Sequence, residues 1–119
     1  MNPALGLAAA RVLIGGVALV SPHVGARLFR LDPETNPQLP YMTRLFGSRE
    51  IAIGAATLLT TGTMQRNLIA TGVAIDAADA VAAVLAGATG GVSRPTGVML
   101  TLPALAAAAA GIAGLPRAR

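Results

Sequence analysis

The chain has 119 residues, of which 54% are hydrophobic and only 12% charged, and its mean hydropathy is +0.65. Soluble domains carry about 25% charged residues, so this composition excludes an ordinary water-soluble globule, and its hydrophobicity excludes a disordered chain. The lack of cysteine excludes disulfides, iron–sulfur clusters and thiolate metal sites. The formal charge of +4 comes from nine arginines that are scattered along the chain rather than gathered on one face, so nucleic acid is not an expected partner.

Four apolar segments predict an all-α fold, a four-helix transmembrane bundle that forms one domain over residues 1–119. A membrane-spanning helix needs about 20 mainly apolar residues, and each segment approaches that length. Prolines stand at or just before the starts of three segments, and glycines follow the second and third, as is common at helix ends. The predicted helices cover residues 3–21, 40–61, 66–88 and 96–115.

The connection over residues 22–39 is the only long one between the predicted helices. Apolar residues alternate there with Arg27 and Arg30, which favours a short amphipathic turn with both guanidiniums near lipid head groups. A plain solvated loop is the alternative. Arg44, close to the start of the second helix, is expected to reach the same interface. We therefore expect a multi-pass protein of the bacterial inner membrane, with the lipid bilayer as its first partner.

Ionisable residues inside the apolar segments are the main functional signal. A charge at the bilayer centre costs at least about 2.5–3.5 kcal/mol, so such residues normally face the bundle interior and pair with one another. At a rise of about 1.5 Å per residue, Arg11, Glu50 and Asp76 all fall near the membrane midplane. Small residues flank each of them at helical spacing and allow close helix approach. The first three helices are therefore predicted to meet around an ion cluster, defined as Arg11, Arg49, Glu50, Asp76 and Asp79.

The chemistry of the ion cluster has several interpretations. Asp76 and Asp79 lie three residues apart on one helix, so their carboxylates repel unless a proton or a cation lies between them. Arg11 or Arg49 is the obvious cation, which makes a structural ion-pair network the favoured interpretation. A proton or ion pathway, a ligand or quinone head-group site and a metal site are the alternatives. With His23 as the single histidine and no Ser–His–Asp arrangement, we predict no metal site, no cofactor and no catalytic residue.

The second segment resembles the DoxX-like small membrane proteins, whose second helix has a similar Gly-x-x-Glu-x-x-x-Gly start, paired leucines, a glycine and an arginine after the turn. The matching positions here are Gly47, Glu50, Gly54, Gly62 and Arg66. The resemblance implies a four-helix plan and, as for some members, association with membrane oxidoreductase assemblies, but it assigns no catalytic residue. Asp76 and Asp79 depart from the pattern and favour a neighbouring uncharacterised branch of that superfamily.

Three functions follow as hypotheses. The favoured one is a non-catalytic subunit or scaffold of a membrane complex, redox-linked if the resemblance holds, with another membrane protein or a second copy as partner. The alternative is a small proton- or ion-coupled transporter that works as an oligomer, indicated by carboxylates at the midplane of facing helices. The second alternative is a membrane enzyme that acts on a lipid or quinone, which requires a cavity at the ion cluster.

Overall fold

The computed structural model describes residues 2–119 and shows five α-helices, a final 3₁₀ turn and no strand within that range. The predicted four-helix bundle is therefore wrong, because a fifth helix lies in the connection predicted as a turn or loop. The elements are α1 (Pro3–Val20), α2 (Pro22–Leu28), α3 (Leu39–Leu59), α4 (Gly62–Thr89), α5 (Arg94–Gly114) and the 3₁₀ turn Leu115–Arg117.

The additional helix, α2, forms because Pro22 starts a helix as well as ending the preceding one. Ser21 has a non-helical backbone (φ −129°, ψ 74°) and separates α1 from α2. Proline is tolerated in the first helical turn, where its missing N–H would have no intrahelical partner. Gly25 and Ala26 on α2 are buried, and the helix packs on both α1 and α3. Tertiary packing therefore stabilises a helix of only seven residues.

Three helical stretches, rather than four, are long and apolar enough to cross a membrane. They are α1, α4 and the stretch Arg94–Arg117, which joins α5 to the 3₁₀ turn. This finding identifies a membrane protein with transmembrane helices. The remaining long helix, α3, has 21 residues, but Arg44, Arg49 and Glu50 all lie within it, so it does not belong to this group.

Burial in this protein follows the pattern expected when lipid surrounds the helices. Large aliphatic side chains point outward, with Leu13, Val20 and Leu59 exposed by 73%, 81% and 84%. Alanine, glycine and polar residues fill the interior instead, as in packed membrane helices. The small residues that flank Arg11 at helical spacing are buried together with it, as predicted: Ala4, Ala8, Gly15 and Ala18.

The helices pack mainly as two pairs, α1 with α3 and α4 with α5. Backbones touch directly in the first pair, because a Cβ atom added at Gly15 would lie 2.6 Å from the carbonyl oxygen of Gly47. In the second pair, a Cβ atom added at Gly97 would lie 2.9 Å from the Cα of Gly87. Helices α3 and α4, by contrast, make few direct contacts. Space therefore remains between the pairs, and it holds the ion cluster.

The turn between α3 and α4 is shorter than predicted. Helix α4 begins at Gly62, with a φ of +62°, and not at residue 66. Gly62 was predicted to follow the end of the second helix, and it instead starts the next one. Gly90, with a φ of +80°, ends α4 in the left-handed conformation that favours glycine, as predicted. Asp76 consequently lies at the middle of a 28-residue helix.

Candidate functional site

Arg11 forms the buried half of the ion cluster. It lies at the middle of α1, and its Nη1 donates to Oε2 of Glu50 at 2.9 Å while its Nη2 donates to Oδ2 of Asp76 at 2.5 Å. The three side chains are exposed by only 7%, 7% and 5%. Gly72 makes room for the guanidinium, because a Cβ atom there would lie 3.1 Å from Nη2. One arginine thus joins α1, α3 and α4.

Arg49 forms the half of the ion cluster that is partly exposed. Its Nη2 donates to Oδ2 of Asp79 at 2.9 Å and to Oε1 of Glu50 at 3.1 Å. The side chains of Arg49 and Asp79 are 37% and 38% exposed. The guanidinium lies 5.2 Å from the ring centroid of Phe46, within the range of a cation–π interaction. Glu50 accepts from both arginines and therefore connects the two halves.

All five residues of the predicted ion cluster are connected in the structure by a chain of four ion pairs that links α1, α3 and α4. When all are ionised, three carboxylates face two guanidiniums, so the cluster has a formal charge of −1. Such an imbalance is costly where the dielectric constant is low. The structural or ligand-binding role of these residues stays a prediction.

A cavity of about 500 Å³ lies against the ion cluster. This size falls within the range of small-molecule sites, about 300–1,000 Å³. All five cluster residues lie on its wall, and the rest of the lining is almost entirely apolar. Helices α1, α3, α4 and α5 contribute to it, together with α2 and the segment that follows. The apolar lining includes Phe29, Met42, Phe46, Leu100, Pro103 and Ala104.

Two aromatic rings form part of the apolar lining. Phe29 and Phe46 pack edge to face, with ring centroids 5.6 Å apart and an interplanar angle of 76°. They are the two phenylalanines of the sequence, and both line the cavity. Neither ring was predicted from the sequence to belong to the site. The signal that could have drawn attention to Phe46 is its position three residues before Arg49, on the same face of the helix.

The three arginines predicted to contact lipid lie outside the ion cluster. Arg27 pairs with Glu34 at 2.7 Å in an exposed salt bridge. Arg30 is exposed and has a positive φ of 60°. Arg44 is also exposed, and its Nε donates to the carbonyl oxygen of Leu19 at 3.4 Å. All three are available to solvent or head groups, and their contact with lipid stays a prediction.

Within residues 2–119, no group of three or more His, Cys, Asp or Glu side chains is arranged to hold a metal ion. No protein-family model matches the chain, and no curated protein or solved structure matches it significantly. The DoxX-like resemblance of the second segment therefore stays a prediction, and the site is interpreted from its own geometry.

Proposed function

We propose that this chain is a multi-pass integral membrane protein that binds an amphipathic small molecule between its helices, as a non-catalytic subunit of a larger membrane assembly. The observation that carries the proposal is the cavity of about 500 Å³, which is apolar except where the ion cluster forms its wall. A molecule with an apolar body and a polar head matches this division. Lipids and quinones are molecules of this kind.

The polar head would lie beside the partly exposed half of the ion cluster. Arg49 and Asp79 both line the cavity and are more than one third exposed, so they offer a donor and an acceptor. The Nε of Arg49 is buried and has no hydrogen-bond partner among residues 2–119. The apolar body would then lie against Phe46, Met42 and Leu100.

A binding role fits the ion cluster better than acid–base catalysis. Both oxygens of Glu50 accept hydrogen bonds, Oε2 from Arg11 at 2.9 Å and Oε1 from Arg49 at 3.1 Å, and its side chain is buried. Protonation of Glu50 would therefore break a buried ion pair, which costs about 3–5 kcal/mol. Glu50 is thus better suited to orienting a ligand through the arginines than to exchanging protons with one.

The assembly and its membrane belong to the same proposal. The DoxX-like resemblance of residues 47–66, which cover most of α3 and the start of α4, supports a bacterial plasma membrane and a partner that is another membrane protein or a second copy of the chain. Exposed aliphatic side chains on the candidate spans supply surfaces for lipid or for such a partner. Crosslinking in native membranes tests this part, and a chain that crosslinks to neither would count against it.

Two alanine substitutions on α5 test ligand binding. Ala104 lines the cavity, so Ala104→Phe should fill part of it, whereas Ala106 is exposed and does not line it, so Ala106→Phe is the matched control. The protein would be transferred from membranes into lipid nanodiscs and analysed by native mass spectrometry. We expect a bound small molecule on the wild type and on Ala106→Phe, and its loss on Ala104→Phe. Equal occupancy of all three, or none on any, would contradict the proposal.

Proton- or ion-coupled transport by an oligomer is the second candidate. The observation that favours it is the position of the ion pairs, which cross from the α1–α3 pair to α4 where direct helix contacts are few. Rearrangement of these ion pairs would allow α1 and α3 to move away from α4 and α5. Proteoliposomes that carry the wild type, Asp76→Asn or Glu50→Gln test the idea by proton flux. Flux from the wild type no greater than from empty liposomes would remove it.

A further inference from the structure

We propose that the molecule held in this cavity is an amphipathic cation, such as a quaternary ammonium, a phosphonium or a protonated amine with bulky apolar substituents. The inference rests on the proposed function and names the class of ligand for the same site. It is carried by the charges on the cavity wall, by one carboxylate oxygen and by the aromatic lining.

The wall of the cavity has more negative than positive side chains. Three carboxylates and two guanidiniums line the cavity, and no other charged side chain among residues 2–119 does so. Arg27 is paired with Glu34 elsewhere, and Arg44 is exposed on the outer surface. The wall thus has a formal charge of −1 in a mainly apolar environment. A monocation neutralises it, a neutral molecule leaves it unchanged, and an anion raises the imbalance to −2.

The hydrogen bonds of the three carboxylates indicate which oxygen is available to the cation. Both carboxylate oxygens of Glu50 and both of Asp79 accept hydrogen bonds from arginines. Asp76 differs, because Arg11 donates only to its Oδ2, and its Oδ1 receives no hydrogen bond from any described residue. The Asp76 side chain is 5% exposed and lines the cavity. This Oδ1 has no donor, and Asp76 lies one turn before Asp79 on α4, so a cation beside the exposed half of the ion cluster can approach it.

The aromatic part of the lining also favours a cation. The faces of aromatic rings attract cations, and quaternary ammonium groups in particular are bound by aromatic cages. Phe46 already has the guanidinium of Arg49 at 5.2 Å, and Phe29 packs against it edge to face. Both rings also line the cavity, so a cation held there can lie against aromatic carbon as well as near the carboxylates.

The experiment compares three probes of similar shape and different charge. Radiolabelled tetraphenylphosphonium, triphenylphosphine oxide and tetraphenylborate are, in order, a cation, a neutral molecule and an anion. Saturable binding is measured on protein in nanodiscs, and empty nanodiscs give the background from lipid partitioning. Because one unit charge at short range changes binding substantially at an effective dielectric constant of about 20, we expect the phosphonium to bind at least about tenfold more tightly than either other probe.

Variants then locate the charge effect. Asp79→Asn brings the formal charge of the wall to zero and should weaken phosphonium binding by about tenfold, while the partly exposed position favours correct folding. Glu34→Gln removes an exposed carboxylate outside the cavity and serves as the matched control, with binding unchanged. Circular dichroism checks the fold of both. The comparison of probes on the wild type does not depend on either variant.

The outcomes separate this inference from the proposed function. Preference for the phosphonium that is lost in Asp79→Asn supports both. Equal binding of all three probes, abolished by Ala104→Phe, would overturn the charge inference and leave the amphiphile site intact. Preference for the neutral probe would also overturn the charge inference, and it would favour a quinone-like ligand. Binding of no probe above that of empty nanodiscs would overturn the inference, whereas the proposed function is decided separately by the occupancy of the wild type and Ala104→Phe in native mass spectrometry.

Discussion

Replacement of Arg11 by leucine tests whether the ion cluster holds the helices together. The wild-type guanidinium donates to Glu50 at 2.9 Å and to Asp76 at 2.5 Å, and no side chain of the three is more than 7% exposed. Removing one partner of a buried ion pair costs about 3–5 kcal/mol. In this variant Arg49 still donates to Glu50 at 3.1 Å, whereas Asp76 loses its hydrogen bond from an arginine altogether. We therefore expect a total loss of about 3–5 kcal/mol rather than twice that amount.

The free energy of unfolding can be measured by titration with sodium dodecyl sulfate in mild detergent. Circular dichroism is a suitable signal, because the chain has no tryptophan and a single tyrosine. Arg27→Leu is the matched control, since it removes an exposed pair, and it should change stability by no more than about 1 kcal/mol. The double variant Arg11→Leu/Asp76→Leu should recover part of the loss, because it removes the stranded carboxylate. Equal stability of Arg11→Leu and Arg27→Leu would refute the reasoning.

Three further substitutions test other parts of the structure. Gly47→Ala should destabilise the fold by about 1–3 kcal/mol, because its Cβ would lie 2.7 Å from a carbonyl oxygen of α1. Gly16→Ala, where a Cβ meets nothing within 4 Å, is its control in the same titration and should not destabilise. Gln65 is fully buried and donates to two carbonyl oxygens at the end of α3, so Gln65→Leu should cost about 1–3 kcal/mol and accelerate amide exchange in the α3–α4 turn. Unchanged exchange there would contradict this role. Asp79→Leu should lose less stability than the Arg11 variant, because Asp79 is 38% exposed, and an equal loss would disprove the difference between the two halves of the ion cluster.

The inner faces of the helices could be predicted because lipid reverses the usual rule of burial. When the surroundings are apolar, charged and small residues at helical spacing must face inward. Glu50 and Gly54 on α3 and Asp76 on α4 are buried on the faces predicted for them. Gln65 is buried as well, but it lay outside the predicted third helix, which began at residue 66.

The number of helices could not be predicted, for a local reason and a tertiary one. Pro22 marks the end of one helix and the start of the next equally well, so the sequence does not distinguish a loop from a short helix. Helix α2 has seven residues, fewer than an isolated helix needs to be stable in water. Its packing on α1 and α3 stabilises it, and that packing depends on where the two helices cross.

The cavity was equally inaccessible to sequence reasoning. Its apolar wall includes Met42 and Leu100, which have the same character as side chains that face lipid. Whether such a residue lines a cavity or the outer surface depends on how far apart α3, α4 and α5 lie. Glycine contacts draw α1 toward α3 and α4 toward α5, and this leaves the gap between the pairs. The sequence shows where the glycines lie along the chain, but not which residue of another helix each glycine contacts.

Arg11 and Arg49 have different surroundings. Those of Arg11 suit it to holding the helices together, and those of Arg49 suit it to contact with the proposed ligand. Arg11 is buried and bridges three helices, so its ion pairs are a condition for the arrangement of those helices. Arg49 and Asp79 are more than one third exposed beside the cavity, where an occupant can reach them. Glu50 accepts from both arginines, so a change of charge near Arg49 acts on the buried half through a single carboxylate. If the proposed cation binds, it should therefore act first on the exposed half of the ion cluster, while the ion pairs of Arg11 keep α1, α3 and α4 together.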